Sequence, residues 1–109
     1  MNSKDEVITL QTLQKRNPIQ LFCKNLKLNE RYILEIYRIC EMDFRFSTDK
    51  ITEYKKLSEY IRFFWGKRIT PRKLRYVHRV IKFHTELEDK LKRGGSIKGT
   101  YRDLVLRNA

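Results

Sequence analysis

The 109-residue sequence predicts a small all-α fold. Apolar residues recur at the three- and four-residue spacing of a buried helix face, and no segment shows a convincing strand alternation. Capping residues and prolines precede most of these segments, as they do at helix starts. With 40% apolar and 12% aromatic residues, the chain can bury a modest core. We therefore expect about five helices, in one domain over residues 1–94 followed by a tail over residues 95–109.

The first two helices are predicted near the N-terminus. Ser3 and Glu6 have the spacing of a capping box, which predicts a helix over about 4–15. Pro18 suits the first position of a second helix, over about 18–27. The residues expected to be buried on this second helix are Leu21, Phe22 and Leu26.

Two further amphipathic helices follow. Asn29 can cap the third, which should run to about residue 44. Residues 47–49 offer caps for the fourth, and Gly66 is a plausible stop for it. The faces expected to be buried are Ile33, Ile36, Tyr37, Cys40 and Phe44 on the third helix and Ile51, Tyr54, Leu57, Ile61, Phe64 and Trp65 on the fourth.

The fifth helix has the clearest start. Thr70 is a capping hydroxyl and Pro71 suits the first helical position, and nothing stops the helix until Gly94. The predicted span is 71–92, or roughly 33 Å at 1.5 Å per residue.

The tail allows two interpretations. Thr100 and Asp103 could open a short last helix, which we favour slightly. Alternatively, Ile97 and residues 101–106 could form a hairpin that turns near Gly99.

Positive charge is concentrated in one part of the chain. The net charge is +12, and residues 55–82 alone carry ten basic side chains and one acidic one, Glu59. Such a concentration is unfavourable unless an anionic partner meets it. Nucleic acid is the first candidate, ahead of an acidic protein or a membrane surface.

The fifth helix carries its cations on one side. At 100° per residue, Leu74 and Val77 fall on the apolar face, and the basic stripe falls opposite them. Acids appear only in the rear half of the helix, a gradient typical of a helix that enters the DNA major groove by its front half. The residues predicted to bind nucleic acid are Lys67, Arg68, Thr70, Arg72, Lys73, Arg75, Tyr76, Arg79 and Lys82.

The stretch LSEYIRFFWGKRITPRKLRYVHRVI, residues 57–81, resembles the helix-turn-helix superfamily of DNA-binding proteins. In that resemblance Leu57 and Ile61 pack the first helix, Gly66 lies in the turn and Thr70 caps the reading helix. The interval from Gly66 to Thr70 is longer than the usual turn. The longer turn resembles that of winged helix-turn-helix proteins, which tolerate looser turns. In that case the C-terminal tail would supply the wing. The resemblance implies that the reading positions are Arg72, Lys73, Arg75, Tyr76 and Arg79, with Leu74 and Val77 buried.

These features predict a small DNA-binding protein, a transcriptional regulator that places the helix beginning at Pro71 in the major groove of double-stranded DNA. A homodimer on two half-sites would fit this function. Two alternatives stay open: an RNA-binding or architectural nucleoprotein, and a basic interaction or inhibitor module that docks an acidic protein. No membrane partner is expected, because no apolar run approaches the roughly 18 residues of a span. With no secretory signal visible, a cytoplasmic location is expected, with a nucleoid or nuclear one also open.

Phe63, Phe64 and Trp65 could stack on the bases of single-stranded nucleic acid, but their helical spacing favours packing in the core or at its rim. For Tyr76, stacking and packing are both open. Cys23 and Cys40 are both expected to be reduced thiols in the core.

Neither a metal site nor an active site is predicted. His78 and His84 point in different directions on one helix, and no zinc-binding spacing of cysteine and histidine is present. No nucleotide-binding or nucleophile motif occurs, and no acids cluster near the basic stripe. We therefore expect a protein that is not an enzyme and that uses no cofactor.

Overall fold

The computed structural model describes residues 7–15, 17–94 and 97–98. These residues are mostly helical, which confirms the predicted all-α class. The only strands among them are two residues long and pair with each other in antiparallel fashion, Val7 opposite Lys98 and Ile8 opposite Ile97. In chain order the elements are β1 (Val7–Ile8), α1 (Leu10–Gln14), α2 (Pro18–Leu26), α3 (Glu30–Met42), α4 (Lys50–Tyr60), a π-helical turn (Ile61–Trp65), α5 (Pro71–Lys92) and β2 (Ile97–Lys98).

The chain divides into two compact units. One consists of Met1–Pro18 with Arg79–Ala109, and the other of Ile19–His78. The predicted boundary at residue 94 is a different division, and it stays a prediction.

In the first unit, α1 begins later than predicted. Thr9, not Ser3, caps this helix: its Oγ1 accepts from the backbone N–H of Thr12 at 3.3 Å, and Thr12 Oγ1 accepts from the backbone N–H of Thr9 at 2.9 Å. The β-branched residues of β1 are extended because they pair with β2, a partner that local spacing cannot reveal. Ser3 and Glu6 lie outside the described residues. The apolar cluster of this unit comprises Leu13, Leu87 and Leu91, with Leu10 and Phe83 packed against it.

The alternatives for the tail are tested only in part. β2 pairs with β1 rather than with a later part of the tail. No wing is therefore seen among the described residues. The helix predicted from Thr100, and residues 101–106 of the hairpin, lie outside them.

In the second unit the predicted caps form. The backbone N–H groups of Tyr32 and Thr52 donate to Asn29 Oδ1 at 3.2 Å and to Asp49 Oδ1 at 3.1 Å. Each side chain satisfies an amide that the first helical turn leaves without a partner. The buried side chains of this unit are Phe22, Leu28, Ile33, Ile36, Cys40, Phe44, Tyr54, Leu57, Ile61, Ile69, Leu74 and Val77.

Some side chains predicted to be buried are exposed instead. Leu21 and Ile51 lie at the edges of their apolar faces and reach solvent. Phe64 is exposed because α4 does not end as an α-helix. Its last turn is a π-helical turn with one extra residue, and the rotation of every later side chain therefore lags behind the α-helical spacing.

Candidate nucleic-acid interface

A short loop fixes the start of α5. Gly66 ends the π-helical turn in the left-handed conformation, with φ 66°, which explains a glycine there. Ile69 is buried, and its carbonyl accepts a hydrogen bond from Ser58 Oγ on α4 at 2.5 Å. Thr70 then caps α5 as predicted, because its Oγ1 accepts from the backbone N–H of Lys73 at 3.1 Å.

The front half of α5 separates apolar from basic side chains. Leu74 and Val77 are fully buried, whereas Arg72 and Arg75 are exposed on the opposite side. This is the arrangement that the helical spacing predicts. The positive end of the helix dipole adds to the field of these cations.

The cations next to the start of α5 are open to a partner. Within residues 7–15, 17–94 and 97–98, the ion pairs involve Arg38, Lys56, Lys92 and the two histidines. None of them joins a lysine or arginine of residues 67–75 to an acid. Here we define the basic surface as the loop and front-helix residues Lys67, Arg68, Thr70, Arg72, Lys73, Arg75 and Tyr76. Of its cations, Arg68, Arg72 and Arg75 are exposed and Lys67 and Lys73 are half-buried.

Two predicted site residues lie further along the helix. Arg79 and Lys82 are exposed, but they belong to the other unit. Each also interacts with another group of the chain. They are therefore not counted in the basic surface.

Tyr76 has a packing role as well as an exposed face. Its ring meets the buried ring of Phe22 edge-on, with centroids 5.9 Å apart. Lys73 Nζ lies 5.3 Å from the Tyr76 centroid and 5.9 Å from that of Phe22, so the ammonium group is held over both rings. Packing in the fold and stacking on a base thus both stay open for Tyr76.

The structure exposes an aromatic cluster that the sequence interpretation missed. Phe63 is 82% exposed, Phe64 66% and Tyr60 45%. Their centroids are 5.0 Å apart for Phe63–Phe64 and 4.7 Å for Tyr60–Phe64. We define these three residues as the aromatic cluster. Phe63 and Phe64, predicted to pack in the core or at its rim, are instead largely exposed.

A second missed feature is a set of two hydrogen bonds made by His78. His78 on α5 contacts Glu41 Oε1 through Nε2 at 2.6 Å and the hydroxyl of Tyr54 through Nδ1 at 2.7 Å. A carboxylate can only accept, so Nε2–H donates to Glu41, and Nδ1 shares the second hydrogen bond with the Tyr54 hydroxyl. These two hydrogen bonds join α3, α4 and α5, and Tyr54 is only 7% exposed.

Of the two cysteines, Cys40 is unsuited to nucleophilic chemistry. Both thiols are free, Cys40 buried and Cys23 half-buried. Burial, with the carboxylates of Glu41 and Asp43, raises the pKa of Cys40 to about 12. The thiol therefore stays protonated at neutral pH, which makes it a poor nucleophile and a poor metal ligand. Within the described part of the chain, no three acidic, histidine or cysteine side chains are grouped so as to hold a metal ion.

None of the described helices combines the length and the apolar character needed to cross a membrane. No protein-family model, no curated protein and no solved structure matches the chain.

Proposed function

We propose that this chain binds nucleic acid through the basic surface, with the front half of α5 as the contacting element. The observation that carries the proposal is the absence of acidic partners for these cations among the described residues. Self-repulsion among exposed cations is relieved when phosphates meet them, and counterions released from the nucleic acid add to the affinity.

Double-stranded DNA is the partner that suits an exposed helix front best. A major groove admits an α-helix, and exposed arginines such as Arg72 and Arg75 can pair with guanine or hold phosphates. In this proposal α4 and α5 act as a helix-turn-helix, the loop from Gly66 to Thr70 is the turn, and the protein is a transcriptional regulator. Support comes from the capped start of α5 and from the loop held to α4 by Ser58.

The test is a gel shift with random and selected duplexes. We expect Arg75→Ala to weaken binding to a selected duplex by about fivefold to 100-fold if the side chain reads a base. Uniform weakening on every duplex would instead assign Arg75 to phosphate. Arg72→Ala is measured in parallel. Both side chains are exposed on a helix, so their removal should leave folding intact.

The matched control is Arg93→Ala. Arg93 is exposed just beyond the C-terminal end of α5, and its replacement removes the same charge from a position outside the basic surface. The control should bind nearly as the wild type does. Equal losses for Arg93→Ala and Arg75→Ala would contradict a localised interface.

A further inference from the structure

The aromatic cluster beside the basic surface has no role in duplex binding as proposed. It lies at the end of α4, and the loop from Gly66 to Thr70 joins it to the start of α5. We infer that the aromatic cluster stacks on an unpaired nucleobase, so that the preferred partner is a nucleic acid with single-stranded bases next to the part held by α5. This inference rests on the nucleic-acid binding proposed above and specifies its substrate.

The rings are presented as stacking platforms. Burying a phenylalanine side chain stabilises a fold, yet Phe63 and Phe64 stay largely in water. Phe64 contacts both Phe63 and Tyr60, so part of each ring is supported while another part is open. Every nucleobase has a π face that fits such a surface without regard to sequence.

The surroundings of the rings match the other parts of a nucleotide. A shallow depression is lined by the aromatic cluster together with Lys56, Glu59 and Arg62. The cations suit a phosphate, although Lys56 also lies 3.9 Å from Glu53. The Glu59 carboxylate is an acceptor for the amino groups that an unpaired adenine, cytosine or guanine offers.

Charge argues against two other occupants of this surface. A second copy of the chain would bring together two identical depressions that each keep a net positive charge from Lys56, Arg62 and Glu59, which like charges disfavour. A phosphatidylglycerol membrane would attract the same cations but offers no amino donor to the Glu59 carboxylate. A nucleotide supplies a negative group for the cations and amino donors for the carboxylate at once.

The experiment measures the affinity of the full chain for a blunt duplex, the same duplex with a short single-stranded overhang, and the single strand alone. Fluorescence of Trp65, the one tryptophan, reports binding, because its ring lies 6.1 Å from that of Tyr60. The overhang should tighten wild-type binding by about 5- to 150-fold, which is 1–3 kcal/mol for one stacked base. Deoxyribose and ribose overhangs are compared, and a gain with either supports the inference.

Phe63→Ala should abolish the gain from the overhang and leave blunt-duplex affinity unchanged. The matched control is Phe46→Ala, since Phe46 is 86% exposed but lies between α3 and α4, outside the depression. This control should keep the gain. An equal effect of both variants would overturn the inference.

The two proposals fail in different ways. If blunt and overhang duplexes bind the wild type equally, the stacking inference is overturned while nucleic-acid binding stands. If no nucleic acid binds, both fail. A dimer in sedimentation that Phe63→Ala dissociates, or binding to phosphatidylglycerol vesicles that Phe63→Ala alone abolishes, would also overturn the inference.

Discussion

Single side chains decide how the front of α5 can be used. Arg72 and Arg75 face solvent while Leu74 and Val77 are fully buried, so the same few residues fix the helix to the core and present its charge. His78, one position after Val77, sets the rotation of the helix through its contacts with the Tyr54 hydroxyl and the Glu41 carboxylate. The hydrogen bonds of His78 thus help to fix the orientation of the helix that carries the basic surface.

The first prediction concerns the hydrogen bonds of His78. Tyr54→Phe removes the hydroxyl that bonds His78 Nδ1, and we expect the free energy of unfolding to fall by about 1–3 kcal/mol because a part-buried ring nitrogen loses its hydrogen-bond partner. Urea denaturation measures the change. Tyr60→Phe is the control: Tyr60 is substantially exposed, so its variant should differ from the wild type by less than about 0.5 kcal/mol. Equal changes in the two variants would contradict the role of the Tyr54–His78 bond.

The second prediction concerns pH. Burial lowers the pKa of His84, and the attraction of Glu88, 3.9 Å from Nε2, opposes that effect without overcoming it. Above the unfolded pKa of about 6.5 both states are neutral and stability is fully present. As pH falls below that value, the unfolded chain binds the proton first and stability is lost. An NMR titration of the His84 ring should give a midpoint below 6.5, the ordinary pKa of histidine, and His84→Asn should lessen the loss of stability in acid. A midpoint at or above 6.5 would contradict the burial effect.

At the scale of the elements, the starts of α3, α4 and α5 were predictable, whereas the start of α1 and the side-chain rotation at the end of α4 were not. Asn29, Asp49 and Thr70 could be proposed as caps from the sequence because a cap is a local interaction. In the structure each side chain bonds a backbone amide three residues away. The exposure of Phe64 was missed, because α-helical spacing places it on the apolar face and the π-helical turn changes that spacing. The start of α1 was missed because β1 pairs with β2, which lies far along the chain.

The end of α2 carries the third prediction. Lys27 adopts a left-handed conformation, φ 53°, and the Leu28 N–H bonds the Cys23 carbonyl at 3.2 Å, which closes the helix. Lys27→Gly should raise the free energy of unfolding by about 1 kcal/mol, because glycine adopts this conformation without steric cost. Lys24→Gly, which removes the same charge inside α2, should lower it by about 1 kcal/mol. Thermal or urea unfolding of both variants checks the pair, and a loss of stability in Lys27→Gly would contradict the prediction.

At the scale of the whole molecule, the concentration of positive charge could be predicted from the sequence. The long-range contacts that hold the charged helix in place could not. The excess over residues 55–82 predicted a basic surface, and the exposure of Arg72 and Arg75 agrees with it. The contacts of His78 with partners 24 and 37 residues away could not be read from local spacing. The Glu41–His78–Tyr54 chain therefore emerged only from the fold.

Nucleic-acid binding by the basic surface is the claim on which the other functional proposals depend. Its most direct test is the salt dependence of affinity for a random duplex. If the five cations of the basic surface meet phosphates, log K should fall against log salt with a slope of about −4 to −5, and Arg72→Ala should make the slope shallower by about 1. A wild-type slope shallower than about −2, or a slope that Arg72→Ala leaves unchanged, would contradict the claim.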